Sequence, residues 1–168
     1  MLEKFQIPGV AAIIVKEELG IKKILIQERA KLEEPSERGL IEIPAGKIRE
    51  FENIFDTLRR EVLEETGLHV TRIVGEESAD IVQQRDYQVI GVEPYFVSQN
   101  MSGSYAKIVT IFLCQAEGEM LVKSDESENI RWIAIDELSE LLQNQPQKFY
   151  PMYISVLRKY FKSQALAG

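Results

Sequence analysis

The sequence predicts a mixed α/β sandwich, and three observations carry that expectation. Its 168 residues are 45% hydrophobic and 28% charged, the balance of a soluble globular protein. Apolar, strand-like runs flank one strongly periodic helix, and two further helical segments close the chain. The order strands, helix, strands, helices lacks the alternation of a regular βαβ winding, so the sheet should be mixed. One domain over residues 1–168 is expected, burying about 70% of the unfolded chain's surface.

Val10 to Lys16 is an apolar run, and Lys23 to Glu28 alternates Ile24 and Ile26 against Leu25 and Gln27. Glu18-Leu19-Gly20 between them favours a hairpin. Ala30 to Gly39, charged and holding Pro35, is a loop, and Leu40 to Ile43 is a short strand stopped by Pro44. A helix is predicted from Glu52 to Thr66, because Phe51, Ile54, Phe55, Leu58 and Val62 form one stripe and Gly67 can end it. Val70 to Val74 is a weak strand, and Gly75 to Asp86 resembles an insertion. Tyr87 to Val97 and Ile108 to Gln115 are β-branched and aromatic and should be central strands, joined by a loop at Asn100 to Ser104. Met120 to Val122 is a candidate short strand, Lys123 to Asn129 an acidic loop, and Ile130 to Ile133 a strand. Asp136 is expected to cap a helix running to Gln143. A last amphipathic helix covers Gln147 to Lys162, with Phe149, Tyr153, Val156, Leu157, Tyr160 and Phe161 set to cover the sheet; a homodimer stays open.

The net charge of −7, from 27 acidic and 20 basic residues, argues against a nucleic-acid partner, which needs a broad basic face. A small phosphorylated ligand remains possible, since a bound divalent cation reverses the local sign. Cys114 is the only cysteine, so no intrachain disulfide forms; it should be a small buried hydrophobe in a cytoplasmic protein. Met1 to Gln6 lacks the basic start of a signal peptide, and the apolar run Val10 to Val15 is too short to span a membrane, so no membrane association is expected.

One local rule is broken. Glu61, Glu64 and Glu65 occupy the last turn of the predicted helix, where the dipole disfavours carboxylates, and Glu61 repels Glu64 at i+3 and Glu65 at i+4. These terms together cost about 1–3 kcal/mol if nothing compensates. On a helical wheel with Ile54 at zero, the apolar stripe spans about 0° to 100°, while Glu65 falls near about 20°, Glu61 about −20° and Glu64 about −80°. The acids therefore overlap the edge of the core-facing stripe, whereas a solvated charge run would lie opposite it, near Leu63. Partly buried carboxylates need a partner, and Arg60 points elsewhere on the wheel, an exposed i+4 partner for Asp56. A hard divalent cation satisfies several oxygens at once; magnesium prefers a few carboxylates, waters and substrate phosphates. That chemistry permits water to attack phosphorus and requires no histidine; His69, the only one, fits a surface or packing role.

Gly46, five residues, Glu52, seven residues, then Arg60-Glu61-Val62-x-Glu64-Glu65-x-Gly67-Leu68 is similar at every fixed position to the signature of the Nudix hydrolases, a span of 23 residues. The strand order around it also resembles the Nudix α/β/α sandwich with its mixed β-sheet, an α+β fold. The resemblance implies a Mg²⁺- or Mn²⁺-dependent hydrolase that cleaves the pyrophosphate of a nucleoside diphosphate joined to another group. It implies Glu61, Glu64 and Glu65 as metal ligands, Glu52 as an auxiliary ligand or a partner orienting Arg60, and the Gly46 carbonyl as a further ligand. For the general base it leaves two sources open: Glu64, or the later loop Asp125-Glu126-Ser127-Glu128, with Glu126 and Glu128 as candidates. A solvated acidic turn is the other reading of that loop.

Glu42-Ile43-Pro44-Ala45-Gly46-Lys47 resembles the ADP-ribose pyrophosphatase branch, although Gln83 and Gln84 stand where that branch typically has a proline. Glu42, Tyr105 and the arginine closing the second strand (Glu28-Arg29) are the substrate-binding candidates, and Tyr87, Tyr95, Phe96 and Tyr105 are each either base-stacking or core. Three readings follow: hydrolysis of ADP-ribose or a nucleoside diphosphate sugar, a nucleoside triphosphate pyrophosphatase, or a Nudix-fold nucleotide sensor without turnover. The intact acidic set favours catalysis over sensing.

Overall fold

The computed structural model describes residues 2–31 and 34–167. Strands β1 (Ile7–Glu18) and β2 (Ile21–Arg29) form the expected hairpin, turning on Leu19 and Gly20, both at positive φ. Next come the two-residue β3 (Ile41–Glu42), β4 (Ala45–Lys47) and helix α1 (Ile54–Thr66). Strands β5 (His69–Ile73), β6 (Asp80–Gln84), β7 (Tyr87–Gly91), β8 (Phe96–Gln99), β9 (Lys107–Glu117) and β10 (Ser127–Ala134) follow, then helices α2 (Ile135–Asn144) and α3 (Pro151–Leu166). The loop expected at Ala30 to Gly39 holds a 3-10 turn at Pro35–Glu37, and its residues 32 and 33 lie outside the described residues.

The main sheet runs β10-β2-β1-β9-β5, with β3 on β2, β4 on β1 and β8 on β9. It is mixed, because β1 and β9 are parallel while the other pairings are antiparallel. Alternation in β1 and β9 splits the core in two. Ala11, Ile13, Val109 and Ile111 face α2 and α3, whereas Val10, Ala12, Ile14 and Phe112 face Phe55, Leu58 and Val62 of α1. The apolar side chains expected of the last helix are buried throughout, although the helix begins at Pro151 and Phe149 precedes it, after a 3-10 turn at Pro146–Lys148. Cys114 is 1% exposed, as expected of a small core hydrophobe. Among the described residues no helix is long and apolar enough to cross a membrane.

The sheet opens at one place. β1 pairs with β2 only through Val15↔Ile24 to Glu18↔Ile21, while its Gly9–Ala11 stretch pairs with β4 instead. β2 pairs beyond that point with β3, Gln27 facing Glu42. The segment 41–47 thus wedges between the diverging strands, tied in by the Ala12 amide donating to the Pro44 carbonyl at 2.9 Å. Gly9 permits this approach: a Cβ there would lie 2.9 Å from the Gly46 carbonyl oxygen.

Several expected elements take another form. Tyr87 to Val97 is not one central strand: β7 pairs only with β6 in a two-stranded sheet, and 92–95 break the run before β8. Tyr87 is 71% exposed on this hairpin, so it does not fill the core. Phe51 lies outside the helix at φ 58° and is 99% exposed, so it is not part of the apolar stripe. Asn53 caps α1 instead, its side chain accepting from the Phe55 amide at 2.9 Å. Asp136 sits in the first turn of α2 with no side-chain capping bond, favourable there through the dipole alone. Residues 120–122 form no strand; the Leu121 amide donates to Thr66, closing the chain over the end of α1.

Candidate active site

Gly67 takes the left-handed conformation at φ 77° and ends α1, so the final turn stops at the strand opening. The wheel order holds there: Glu65 is 4% exposed, and the Glu61 and Glu64 side chains are 14% and 54% exposed. Exposure rises from Glu65 through Glu61 to Glu64, in the order of their distance from the apolar stripe.

Glu65 is held by neutral donors, the Gln27 side-chain amide at 2.9 Å and the Ala45 backbone amide at 3.0 Å. Burial, and then the nearby Glu42 carboxylate, push it up to about 8. Gln27 also donates to Glu42 at 3.3 Å, and Arg29 donates to Glu42 at 2.6 Å and to Glu37 at 2.9 Å. The Arg29 guanidinium stacks 3.9 Å from the centre of the Tyr150 ring. Glu42 therefore lines the site, but its carboxylate is committed to Arg29 rather than free for a ligand.

Arg60 binds Glu52 through two nitrogens at 2.7 and 2.8 Å, contacts Glu61, reaches Glu64 at 3.3 Å and donates to the Lys47 carbonyl at 3.2 Å. It is no i+4 partner of Asp56; curvature of the 47–52 loop brings Glu52 across to it. This pairing holds Glu52 down to about 2. Burial lifts Glu61 above the ordinary carboxylate range against the pull of Arg60.

Gly46 abuts Glu61 so closely that a Cβ would overlap the Glu61 carboxyl carbon. We predict that Gly46→Ala displaces Glu61 and lowers phosphoanhydride turnover by about tenfold or more, since misplacement of about an ångström has that effect or greater. Steady-state kinetics beside a thermal melt would test it; unchanged turnover would refute a tight requirement for this contact.

A cleft of about 450 Å³ opens over these groups. Glu42, Glu61, Glu65, Asp125 and Glu126 line it together with Arg29, Lys31, Lys47 and Lys107, beside Ala45, Gly46 and Tyr153. Glu126 pairs with Lys31 at 2.6 Å. The structure thus brings Gly46, Glu61, Glu65, Glu42, Arg29 and Glu126 together, with Glu52 and Glu64 joined to them through Arg60. Two expected residues are elsewhere. Glu128 lies outside the cleft, its carboxylate 3.8 Å from Arg38. Tyr105 lines a separate cavity with Phe96, Met101 and Tyr150. Tyr95 packs edge-on against Tyr160 in the core cluster.

Gln27, Lys31 and Lys107 were not legible as site residues. Gln27 carried a signal, a polar side chain on the same face as Leu25 in a buried strand, and it is 0% exposed.

Among the described residues no three acidic, histidine or cysteine side chains already converge on one point. The donor chemistry nonetheless fits a hard cation. Glu65 is a buried carboxylate with no cation in contact, Glu61 is half-sequestered beside it, and Gln27 Oε1 is buried without a hydrogen-bond donor.

The NUDIX domain model matches residues 6–153. A search of curated proteins finds no match. Solved structures similar to this chain include the MutT protein from Methanosarcina mazei Go1, at 19% identity and TM-score 0.64, covering 98% of this chain and 99% of that one. A C. elegans Ap4A hydrolase binary complex has 17% identity and TM-score 0.59 over 96% and 98%. The NUDIX domain of Shewanella oneidensis NrtR, complexed with ADP ribose, has 16% identity and TM-score 0.59 over 82% and 79%. At these identities the structures establish the fold, and the family model establishes membership. The chain belongs to the Nudix hydrolases, a family that generally uses divalent metals to hydrolyse the pyrophosphate of nucleoside diphosphate derivatives.

Proposed function

We propose that this protein hydrolyses an ADP-ribose-type nucleoside diphosphate derivative with Mg²⁺, releasing a nucleoside monophosphate and a phosphorylated second product. The observation that carries the reading is the composition of the cleft: carboxylates from the end of α1 face Lys31, Lys47 and Lys107 in a chain whose net charge is −7. Acids for a divalent cation and amines for a diphosphate occupy one opening. The Glu42–Lys47 segment and the shared fold of an ADP-ribose-bound domain support the substrate class.

Glu61, Glu64, Glu65 and the Gly46 carbonyl would hold the cation. When bound, it neutralises phosphate charge and lowers the pKa of water beside it. Glu52 positions Arg60, and Arg60 in turn keeps Glu61 and Glu64 oriented towards one side of the helix end. Glu64, exposed and held only at 3.3 Å, is the base that accepts the proton of the attacking water. Glu126 is less suited, because its carboxylate is already engaged by Lys31 at 2.6 Å. Attack at phosphorus breaks the bridging P–O bond, and the leaving phosphate departs as an anion into the lysine-lined half of the cleft.

A panel of ADP-ribose, nucleoside diphosphate sugars, dinucleoside polyphosphates and nucleoside triphosphates with Mg²⁺ tests the assignment. ADP-ribose or a nucleoside diphosphate sugar should have the highest kcat/KM; predominant triphosphate turnover would replace the substrate class. Binding without cleavage of any member would leave a sensor.

A further inference from the structure

Arg29 and Lys31 line the cleft with their charges already matched, by Glu42 and Glu37 and by Glu126. Lys107 differs. It is half-buried, and among the described residues no carboxylate lies within ion-pair distance of its ammonium. Its ammonium lies 5.5 Å from the centre of the Tyr105 ring. Burial, then the charges of Lys31, Arg29 and Lys47, draw the ammonium below its ordinary range, against the opposing pull of Glu42. A half-buried ammonium without an ion-pair partner among the described residues favours an anionic ligand.

The backbone beneath it is fixed. The Lys107 amide donates to the Asn100 side-chain oxygen at 2.6 Å, the Asn100 amide donates to the Lys107 carbonyl at 3.1 Å, and the Asn100 side-chain amide donates to the Tyr105 carbonyl. Lys107 pairs with Ile7 on one side of β1, while Lys47 pairs with Gly9 on the other. The two lysines thus flank the same end of β1 at the mouth of the cleft, and Lys107 shares a strand face with the buried Val109 and Ile111.

We propose that Lys107 is a specificity-determining contact that binds the diphosphate of the substrate and selects a diphosphate over a monophosphate. This rests on the reading of the cleft as a phosphoanhydride site, though not on which phosphoanhydride is cleaved. Held on a pinned strand end, the ammonium supplies a point charge to a ligand carrying two adjacent phosphates, and Lys31 and Lys47 supply the surrounding positive field.

Calorimetric titration with inorganic pyrophosphate in EDTA tests binding without metal or turnover. Wild type should bind pyrophosphate more tightly than phosphate, Lys107→Met should weaken pyrophosphate binding about tenfold or more, and Lys107→Arg should restore most of it. Lys107→Gln is the second variant if methionine impairs folding, and melting temperature is recorded for each. With ADP-ribose and Mg²⁺, Lys107→Met should raise KM with kcat largely retained, a split that a merely structural role would not produce. Wild-type pyrophosphate affinity in a folded Lys107 variant, or no pyrophosphate binding by wild type, would overturn the proposal. Loss of pyrophosphate binding without ADP-ribose turnover would uphold Lys107 and reject the substrate class.

Discussion

Glu64→Gln is expected to lower kcat about a thousandfold while leaving the fold intact, the middle of the range for loss of a general base. The change keeps the shape of the side chain and removes its capacity to accept a proton. Its structural effect should be small because Glu64 is half-exposed and is held by a 3.3 Å contact with Arg60. An exposed pair of that kind contributes at most about 1 kcal/mol. Glu61 and Glu65 offer no such separation, since one packs on Gly46 and the other is tied to Gln27 and Ala45. Pre-steady-state turnover beside a thermal melt would make the measurement. Near-wild-type turnover with an unchanged melt would remove Glu64 from the chemistry and direct attention to Asp125 or Glu126.

Arg29→Met is expected to have the largest effect on stability. It leaves Glu42, 3% exposed, without its guanidinium partner, and breaking a buried pair from one side costs about 3–5 kcal/mol. The stacking on Tyr150 and the bond to Glu37 are lost as well. For a chain of this size the melting temperature should fall by about 10 °C. The double variant Arg29→Met/Glu42→Leu should recover much of the loss, because no buried charge is then unpaired. Equal destabilisation of the single and double variants would show that packing around Arg29, and not its charge, sustains this part of the fold.

What was legible in the sequence depended on distance along the chain. Helix α1 and its Gly67 stop follow from local periodicity and from the one residue type that tolerates φ 77° cheaply. The burial order of Glu65, Glu61 and Glu64 follows from the angle of each residue to the stripe. The β1–β2 hairpin follows from two adjacent strand patterns and a short turn. Features set by partners far along the chain were hidden. Tyr87 to Gly91 has the composition of a central strand, yet it pairs with the preceding β6 and projects from the sheet. Phe51 fits the apolar stripe by spacing, but the chain turns at positive φ before the helix begins. Glu42 is acidic and next to the signature, and only the strand pairing of β2 with β3 shows that Arg29 occupies it. Tyr105 is near Lys107 in sequence, yet its side chain lines the neighbouring cavity.

The most direct measurement is the release of AMP and ribose 5-phosphate from ADP-ribose, followed by chromatography in Mg²⁺ and in excess EDTA. The cleft chemistry described above predicts stoichiometric formation of both products with Mg²⁺ and none in EDTA. Intact ADP-ribose and intact nucleoside diphosphate sugars after prolonged incubation with Mg²⁺ would contradict it.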